Sequence, residues 1–485
     1  MTASDALALL PWIVLAATAI VVMMGIAFRR RHGLTLGLSL AGLVASLVSL
    51  YLAAPLAPRQ VTPLLVVDRY SLFFFGLLVA AELVIVILLY DYLGRQEGPR
   101  EELYLLSLIA TLGGAVLVAS THFASFFLGL EMMSVSLYAM IAYLGPRRLS
   151  LEAGVKYLVL AAASAAFLLF GIALIYAALG TLAFNRFAAA LAAVPGHAAL
   201  ANTSMLAAGV ALVLTGIGFK MAVAPFHLWT PDVYQGAAAP VTAWISTLSK
   251  GAIVALLLRF LLSFHAAHRG ILLVVSLIAI ASMIVGNLLA LLQDNVKRIL
   301  AYSSIAHMGY LLVAVLAALR AGNPQLAIEA AAFYLVAYFL TTLAAFGVIG
   351  ALSNSSGEPE LVDDYRGLFW RRPAVATVFV FSLFSLAGIP ATAGFIGKYY
   401  LVAAGASVAV WTPVIVLVAS SVIGLFYYLR IVMTLFATPD PLPRAFSGRI
   451  TPWSGVVLGV MLAGLVWLGF DPNPMIRLLH SLPPL

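Results

Sequence analysis

The chain has 485 residues, 64% apolar and 9% charged, with 26 Lys+Arg against 18 Asp+Glu and a formal net charge of +8. Soluble domains carry charge on about a quarter of their residues, so this composition excludes a soluble globular protein, a disordered chain and a nucleic-acid binder. There are no cysteines, which excludes disulfides, thiolate metal sites and cysteine-held iron–sulfur clusters in this chain.

A bilayer crossing takes about 20 mostly apolar residues. Fourteen such runs begin near Leu9, Leu34, Tyr70, Leu103, Phe123, Leu151, Ser204, Ala239, Ile271, Ile299, Gln325, Ala374, Trp411 and Thr451. The first is expected to remain as a span rather than be cleaved as a signal peptide, because its leading segment carries Asp5 and no Lys or Arg. With the N-terminus outside, 14 positive residues fall in inner loops, among them Arg29–Arg31, Arg147, Arg148, Lys297, Arg298, Arg371 and Arg372. Six fall outside: Arg59, Arg69, Arg186, Arg269, Arg320 and Arg477. Cytoplasmic loops collect positive charge, so both termini are expected on the outer side.

Six positive residues remain inside the runs. Lys156, Arg259 and Arg430 lie near helix ends and are expected to snorkel to the interface. Lys220, Lys250 and Lys398 lie too deep for that. The chain holds 21 arginines and five lysines, so three of the five lysines sit at membrane depth. Arginine stays protonated almost everywhere, whereas a buried lysine can release its proton. The plainer reading of each lysine is a structural ion-pair partner; three together with the companions below favour proton transfer.

The seventh run, Ser204 to about Gln235, measures roughly 48 Å as a straight helix against about 30 Å of hydrocarbon. It contains Lys220, Pro225, His227, Pro231 and Asp232, so a break is expected near Pro225. Broken helices at membrane depth line cavities and mark ion sites in transporters. The twelfth run, Ala374 to about Gly405, is equally overlong and carries Gly388, Pro390, Gly394 and Gly397 just ahead of Lys398. Two such spans five helices apart suggest paired five-helix repeats of opposite direction.

Glu131 stands alone in the fifth run. A lone carboxylate at that depth costs about 2.5–3.5 kcal/mol and is expected to pair with Lys220. Lys250 lies mid-run beside Ser246, Thr247 and Ser249, and His307 beside Tyr302, Ser303 and Ser304; histidine titrates near neutrality and suits a relay. Elsewhere, Glu152 and Lys156 are expected as an i,i+4 pair, and Asp232 as a cap for the broken segment. His265 and His268 have metal-pair spacing but no third ligand. Glu82 in the third run has no evident role.

The motifs Gly218-Phe-Lys220, Pro225-Phe-His-Leu-Trp-Thr-Pro-Asp-Val-Tyr-Gln-Gly236, Ala239-Pro-Val241 with Lys250, Asn295-Val-Lys-Arg-Ile-Leu-Ala-Tyr-Ser-Ser-Ile-Ala-His-Met-Gly-Tyr310, and Ser385-Leu-Ala-Gly-Ile-Pro390 through Gly394-Phe-Ile-Gly-Lys398 resemble the antiporter-like membrane subunits of bacterial proton-pumping NADH:quinone oxidoreductase, respiratory complex I. The resemblance runs nearly end to end. Its nearest branch is expected to be the subunit N type: M-type siblings usually carry Glu at the position of Lys398, and L-type siblings continue into a long lateral helix.

The resemblance implies an all-α polytopic fold of fourteen transmembrane helices. Residues 1–102 would form helices 1–3, and 103–269 the first repeat (helices 4–8). Residues 270–438 would form the inverted second repeat (helices 9–13), and 439–485 helix 14. It further implies a proton path of Glu131, Lys220, Lys250, His307 and Lys398, with His227 nearby. NADH, flavin (FMN), iron–sulfur clusters and quinone would reside in other subunits, with no cofactor or metal here. The implied partners are subunit M, the small membrane-arm subunits and lipid, and the implied location is the bacterial inner membrane. Alternative readings are a cation/proton antiporter subunit and a membrane subunit of a related hydrogenase complex.

Overall fold

A computed structural model describes residues 2–96, 98, 100–143, 148–192, 199–263, 269–354, 357–439 and 450–482. The chain is almost wholly helical. In a bilayer, backbone amides and carbonyls must find partners inside the protein, and helices satisfy this locally.

The first six crossings are α1 (Leu10–Phe28), α2 (His32–Ala53), α3 (Arg69–Gly94), α4 (Glu102–Ala119), α5 (Phe123–Ala142) and α6 (Arg148–Leu179). The seventh is split into α7 (Ala199–Met221) and a short α8 (Thr230–Gly236). The next four are α9 (Ala239–Leu262), α10 (Arg269–Leu291), α11 (Val296–Arg320) and α12 (Gln325–Leu352). The twelfth is two half-helices, α13 (Pro373–Ala387) and α14 (Ala393–Ser407), followed by α15 (Trp411–Phe436), α16 (Pro452–Phe470) and the short α17 (Asn473–His480). Among the described residues thirteen helices are long and apolar enough to cross a membrane. The half-helix pair supplies the remaining crossing, so the fourteen runs and both breaks match the sequence reading.

Helices α9, α11 and α12 are buried over 89–94% of their apolar stretch and form the centre. α4 packs on α5, α6 on α7, α10 on α11, and α12 on both α13 and α14. The pairing order is thus the same in the two blocks of five crossings. Glycines permit the closest approaches. A Cβ on Gly113 would meet the Gly129 carbonyl at 2.7 Å, and one on Gly171 the Gly209 carbonyl at the same distance.

The connections gather at two ends, as alternating crossings require. At the arginine-rich end, Arg95 donates to the carbonyls of Gly350 (3.0 Å), Ala351 (3.2 Å) and Ser353 (3.2 Å), and Asn295 to Glu360 (3.0 Å). At the other end Thr121 N–H donates to the Leu64 carbonyl (3.1 Å) and Phe123 N–H to that of Leu182 (3.0 Å).

Two expectations need correction. Arg259 does not snorkel: it is buried, donates to both oxygens of Asp68 (2.8 and 3.0 Å), and lies 5.0 Å from the centre of the Tyr70 ring. Asp68 already caps α3 through Ser71 N–H, and its carboxylate offers a charged partner closer than water. Asp232 does not cap α8. It bridges Lys156 of α6 and Arg298 of α11, each at 2.8 Å. The Glu152–Lys156 pair forms as expected at 2.7 Å, and Arg430 lies 3.5 Å from the exposed carboxylate of Asp294. His265 and His268 lie outside the described residues.

The buried ion pair at the arginine-rich end joins four elements. Lys297 lies 2.7 Å from Glu358, whose carboxylate also accepts from the Tyr92 hydroxyl (2.6 Å) and the Ala239 amide (2.9 Å). Burial pushes Glu358 up, but the Lys297 ammonium and these donors outweigh it and hold the carboxyl below its ordinary 4.5. A depressed folded-state pKa gives stability that is complete above the ordinary value and lost as pH falls through the folded one. Detergent-solubilised protein should therefore lose melting temperature on acidification below about pH 4.5, and Glu358→Gln should flatten that loss. Lys297→Ala leaves the carboxylate buried and unpaired, at a cost of about 3–5 kcal/mol, measurable by thermal unfolding at neutral pH.

Candidate functional site

The predicted residues lie on α5, the α7–α8 break, α9, α11 and α14. Lys220, Lys250, His227, His307 and Lys398 are all buried.

The two broken crossings end their first halves alike. In α7, Val223 N–H donates to the Gly218 carbonyl (3.0 Å) and Ala222 N–H to that of Phe219 (3.0 Å). In α13, Ile389 N–H donates to Phe384 (3.0 Å) and Gly388 N–H to Ser385 (3.1 Å). Both are Schellman endings with a left-handed residue at the turn, Ala222 at φ 60° and Gly388 at φ 82°. Other groups exposed by the breaks are taken by side chains. Ser282 accepts from Ala224 N–H (2.9 Å), the Trp229 indole donates to the Phe219 carbonyl (3.0 Å), and Ser385 accepts from Gly394 N–H (3.0 Å).

Lys398 closes the second break directly. Its ammonium donates to the carbonyls of Leu386 (2.8 Å) and Ala387 (2.9 Å) and to the Ser421 hydroxyl (2.7 Å). A cation on the final carbonyls of α13 also answers the negative end of that helix. A Cβ on Gly388 would stand 2.9 Å from Cδ and 3.1 Å from Nζ of Lys398, so glycine is needed there for backbone and for room.

The central residues form a connected group. Lys250 donates to the Ser304 hydroxyl, which also bonds Tyr338 OH (2.6 Å) and lies 3.3 Å from Tyr234 OH. His307 bonds Tyr334 OH through Nδ1 (2.6 Å) and Tyr428 OH through Nε2 (3.2 Å), and Tyr428 bonds Ser303. Ser304 and His307 are one turn apart on α11, as Tyr334 and Tyr338 are on α12, so two facing helical stripes supply the chain. A cavity of about 10 Å³, lined by His307, Tyr334, Tyr338, Thr341, Ser385 and Lys398 among others, separates this group from the terminal lysine. That is the size and polarity of a site for one water.

Glu131 and Lys220 form a separate station, and the expected contact pair is corrected. No carboxylate oxygen lies within 4.0 Å of Lys220 among the described residues; its ammonium donates to Ser134 (2.7 Å) and sits 5.4 Å from the centre of the Tyr157 ring. Ser134 lies one turn beyond Glu131 on the same face of α5 and intercepts the lysine. Glu131 keeps a buried Oε1 without a hydrogen-bond partner, within electrostatic reach of Lys220. His227 sits in the break with a buried, unpartnered Nδ1, joined to none of the others.

Sequence reasoning missed the tyrosines Tyr234, Tyr334, Tyr338 and Tyr428, the hydroxyls Thr341, Ser385 and Ser421, and a π-helical turn over Ile245–Ser249 immediately before Lys250. Tyr334 and Tyr338 lie four residues apart inside an apolar run, a spacing that places them on one helical face without showing what they face. Among the described residues no group of three or more His, Asp or Glu could hold a metal ion.

Many membrane crossings, two of them broken, with buried lysines joined by hydroxyls, define an ion-translocating membrane protein. Residues 120–424 match the family model described as NADH:quinone oxidoreductase/Mrp antiporter. A curated relative from Ectopseudomonas mendocina, NADH-quinone oxidoreductase subunit N, is 46% identical over 99% of this chain and 97% of its own. Its counterpart from Methylococcus capsulatus is 47% identical over 100% of this chain and 96% of its own. A chain of respiratory complex I from Thermus thermophilus superposes with a TM-score of 0.82 at 32% identity, covering 98% of this chain and 100% of that one. A chain of the Mrp complex from Dietzia sp. shares the fold, with a TM-score of 0.84 at 22% identity over 99% of this chain and 97% of that one. The chain belongs to the NADH:quinone oxidoreductase/Mrp antiporter family of proton-translocating membrane subunits, on its subunit N branch.

Gly388→Ala should strain the left-handed turn by about 1–2 kcal/mol and push the Lys398 ammonium off its carbonyls. The expected result is lower proton pumping per assembled complex, read by fluorescence quenching in membrane vesicles, with normal amounts of the chain in the membrane.

Proposed function

We propose that protons, or the charge they carry, cross this chain through two stations: Glu131 with Lys220, then Lys250, His307 and Lys398. The observation that carries this reading is the hydrogen-bonded line from Lys250 through Ser304 and Tyr338, beside His307 with Tyr334, to the water-sized cavity at Lys398. Hydroxyls both donate and accept, so each can receive a proton on one side and release one on the other. Lysine is suited to the ends of such a line because burial and a nearby charge decide whether it holds its proton.

The gate is electrostatic. With Lys220 on Ser134 rather than on Glu131, the carboxylate acts through space. Closing the two into contact favours the charged lysine; separating them favours proton release toward Lys250. Tyr157 and Tyr234 rings lie against Lys220 and Lys250 respectively, at 5.4 and 5.6 Å. Among the described residues no hydrogen-bonded chain joins the two stations, so transfer between them requires water entry or a shift of the break.

As a membrane-arm subunit of NADH:quinone oxidoreductase, the chain couples electron transfer elsewhere in the complex to proton movement here. NADH, flavin, clusters and quinone bind in other subunits, and its neighbours are subunit M and the small membrane subunits. Both termini face the periplasm across the bacterial inner membrane. The two blocks, residues 103–269 and 270–438, are inverted repeats; their matched Schellman breaks and helix pairing support this.

Lys220→Ala, Lys250→Ala and Lys398→Ala should each depress NADH-driven proton pumping in assembled complex by ten-fold or more, about 1.4 kcal/mol or above. Normal coupled pumping in a Lys220→Ala/Lys398→Ala double variant overturns the path. Sodium-coupled proton flux by the reconstituted chain without redox turnover would instead favour the cation/proton antiporter reading.

A further inference from the structure

Glu82, on α3, is fully buried and has no part in the path above. Its carboxylate accepts from three side chains on two other helices: the Ser107 hydroxyl, the Thr111 hydroxyl (3.1 Å) and the Trp244 indole N–H (3.0 Å). Trp244 Nε1 also lies 3.2 Å from Thr111 Oγ1. No Lys, Arg or His side chain lies within 4.0 Å of Glu82 among the described residues, so neutral donors alone satisfy it.

Trp244 is the last residue before the π-helical turn Ile245–Ser249, and Lys250 is the first residue after it. A π-turn adds a residue to one helical turn and rotates everything beyond it by about 100° relative to a plain α-helix. The turn is held from within by Ser246 and Thr247, whose hydroxyls both donate to the Ala243 carbonyl (2.9 and 2.6 Å). It is held from outside at Trp244, fully buried and fastened to α3 and α4 through Glu82 and Thr111. On the far side Lys250 points to Ser304 on α11. Loss of the π-turn would rotate Lys250 by about 100° relative to Trp244, so the indole and the ammonium could not both keep their partners, and the indole anchor opposes that loss.

We propose that Glu82 is a positioning residue for Lys250: as a hydrogen-bond acceptor it fixes Trp244, and through Trp244 the π-turn that aims Lys250 at Ser304. This rests on the reading of Lys250 as a proton carrier. Acceptance, not charge, is what the position needs. A glutamine carbonyl can take the Trp244 and Thr111 bonds while its amide donates to Ser107.

The test compares Glu82→Gln, Glu82→Ala and Trp244→Phe in the complete membrane complex, with Lys250→Ala as the reference. NADH-driven pumping is normalised to the amount of assembled complex. Glu82→Gln should pump like the wild type. Glu82→Ala and Trp244→Phe should lose about ten-fold or more, as a reacting group displaced by a fraction of an ångström or more does. If Glu82→Ala does not assemble, the Trp244→Phe and Glu82→Gln pair still decides. Loss in Glu82→Gln equal to that in Lys250→Ala overturns the proposal, because the carboxyl then carries a proton itself. Normal pumping in Trp244→Phe also overturns it. Normal pumping in Lys250→Ala would instead remove the underlying reading, a result distinct from either.

Discussion

A helix broken inside a membrane exposes backbone carbonyls and amides that bulk water does not reach. The arrangement of this protein follows from how those groups are satisfied. At the first break the Phe219 carbonyl takes the Trp229 indole and the Ala224 amide takes Ser282; at the second, the carbonyls of Leu386 and Ala387 take the Lys398 ammonium. The same constraint that makes a break costly thus places a lysine at it. Once there, that lysine is held by backbone carbonyls and the Ser421 hydroxyl, with no carboxylate within 4.0 Å among the described residues.

The same logic divides the interior into two electrostatic stations. Around Lys250 and His307, four tyrosines and two serines give each nitrogen a hydroxyl, so the region is polar without being charged. Around Lys220 the ammonium meets the Ser134 hydroxyl, with the Tyr157 and Phe219 rings 5.4 and 5.6 Å away. In the proposed path the first of these groups transfers protons and the second switches. A carboxylate near an ammonium in low dielectric changes the proton affinity of both far more than it would at a surface, which is why the proposed gate needs only a small movement of α5 against α7.

Much of this was legible in the sequence. Fourteen crossings, both breaks and the depth of Lys220, Lys250 and Lys398 follow from apolar run length, from Pro225 and Pro390, and from lysine used where arginine is the habit. Local spacing shows helix ends, not the helix packed against them, so by itself it sends Arg259 to the interface and makes Asp232 a cap. Asp68 and Arg259 are 191 residues apart, and Asp232 and Arg298 are 66 apart. Depth and charge match Glu131 with Lys220, yet Ser134, three residues from Glu131, takes the ammonium.

What the sequence by itself determined is which groups lie in the membrane and where the helices must fail, because hydrophobic length and proline geometry are local properties of the chain. What only the tertiary structure decided is which of those groups touch. Partners such as Tyr334, Tyr338 and Tyr428 are ordinary residues in apolar runs until α12 and α15 turn them toward α11. The π-turn before Lys250 lies between a Trp244 bonded to Glu82 and Thr111 and a Lys250 bonded to Ser304, partners that lie on other helices. Hydrogen bonds reach only about 3 Å, so a relay made of them depends on helix packing that no one-dimensional pattern records.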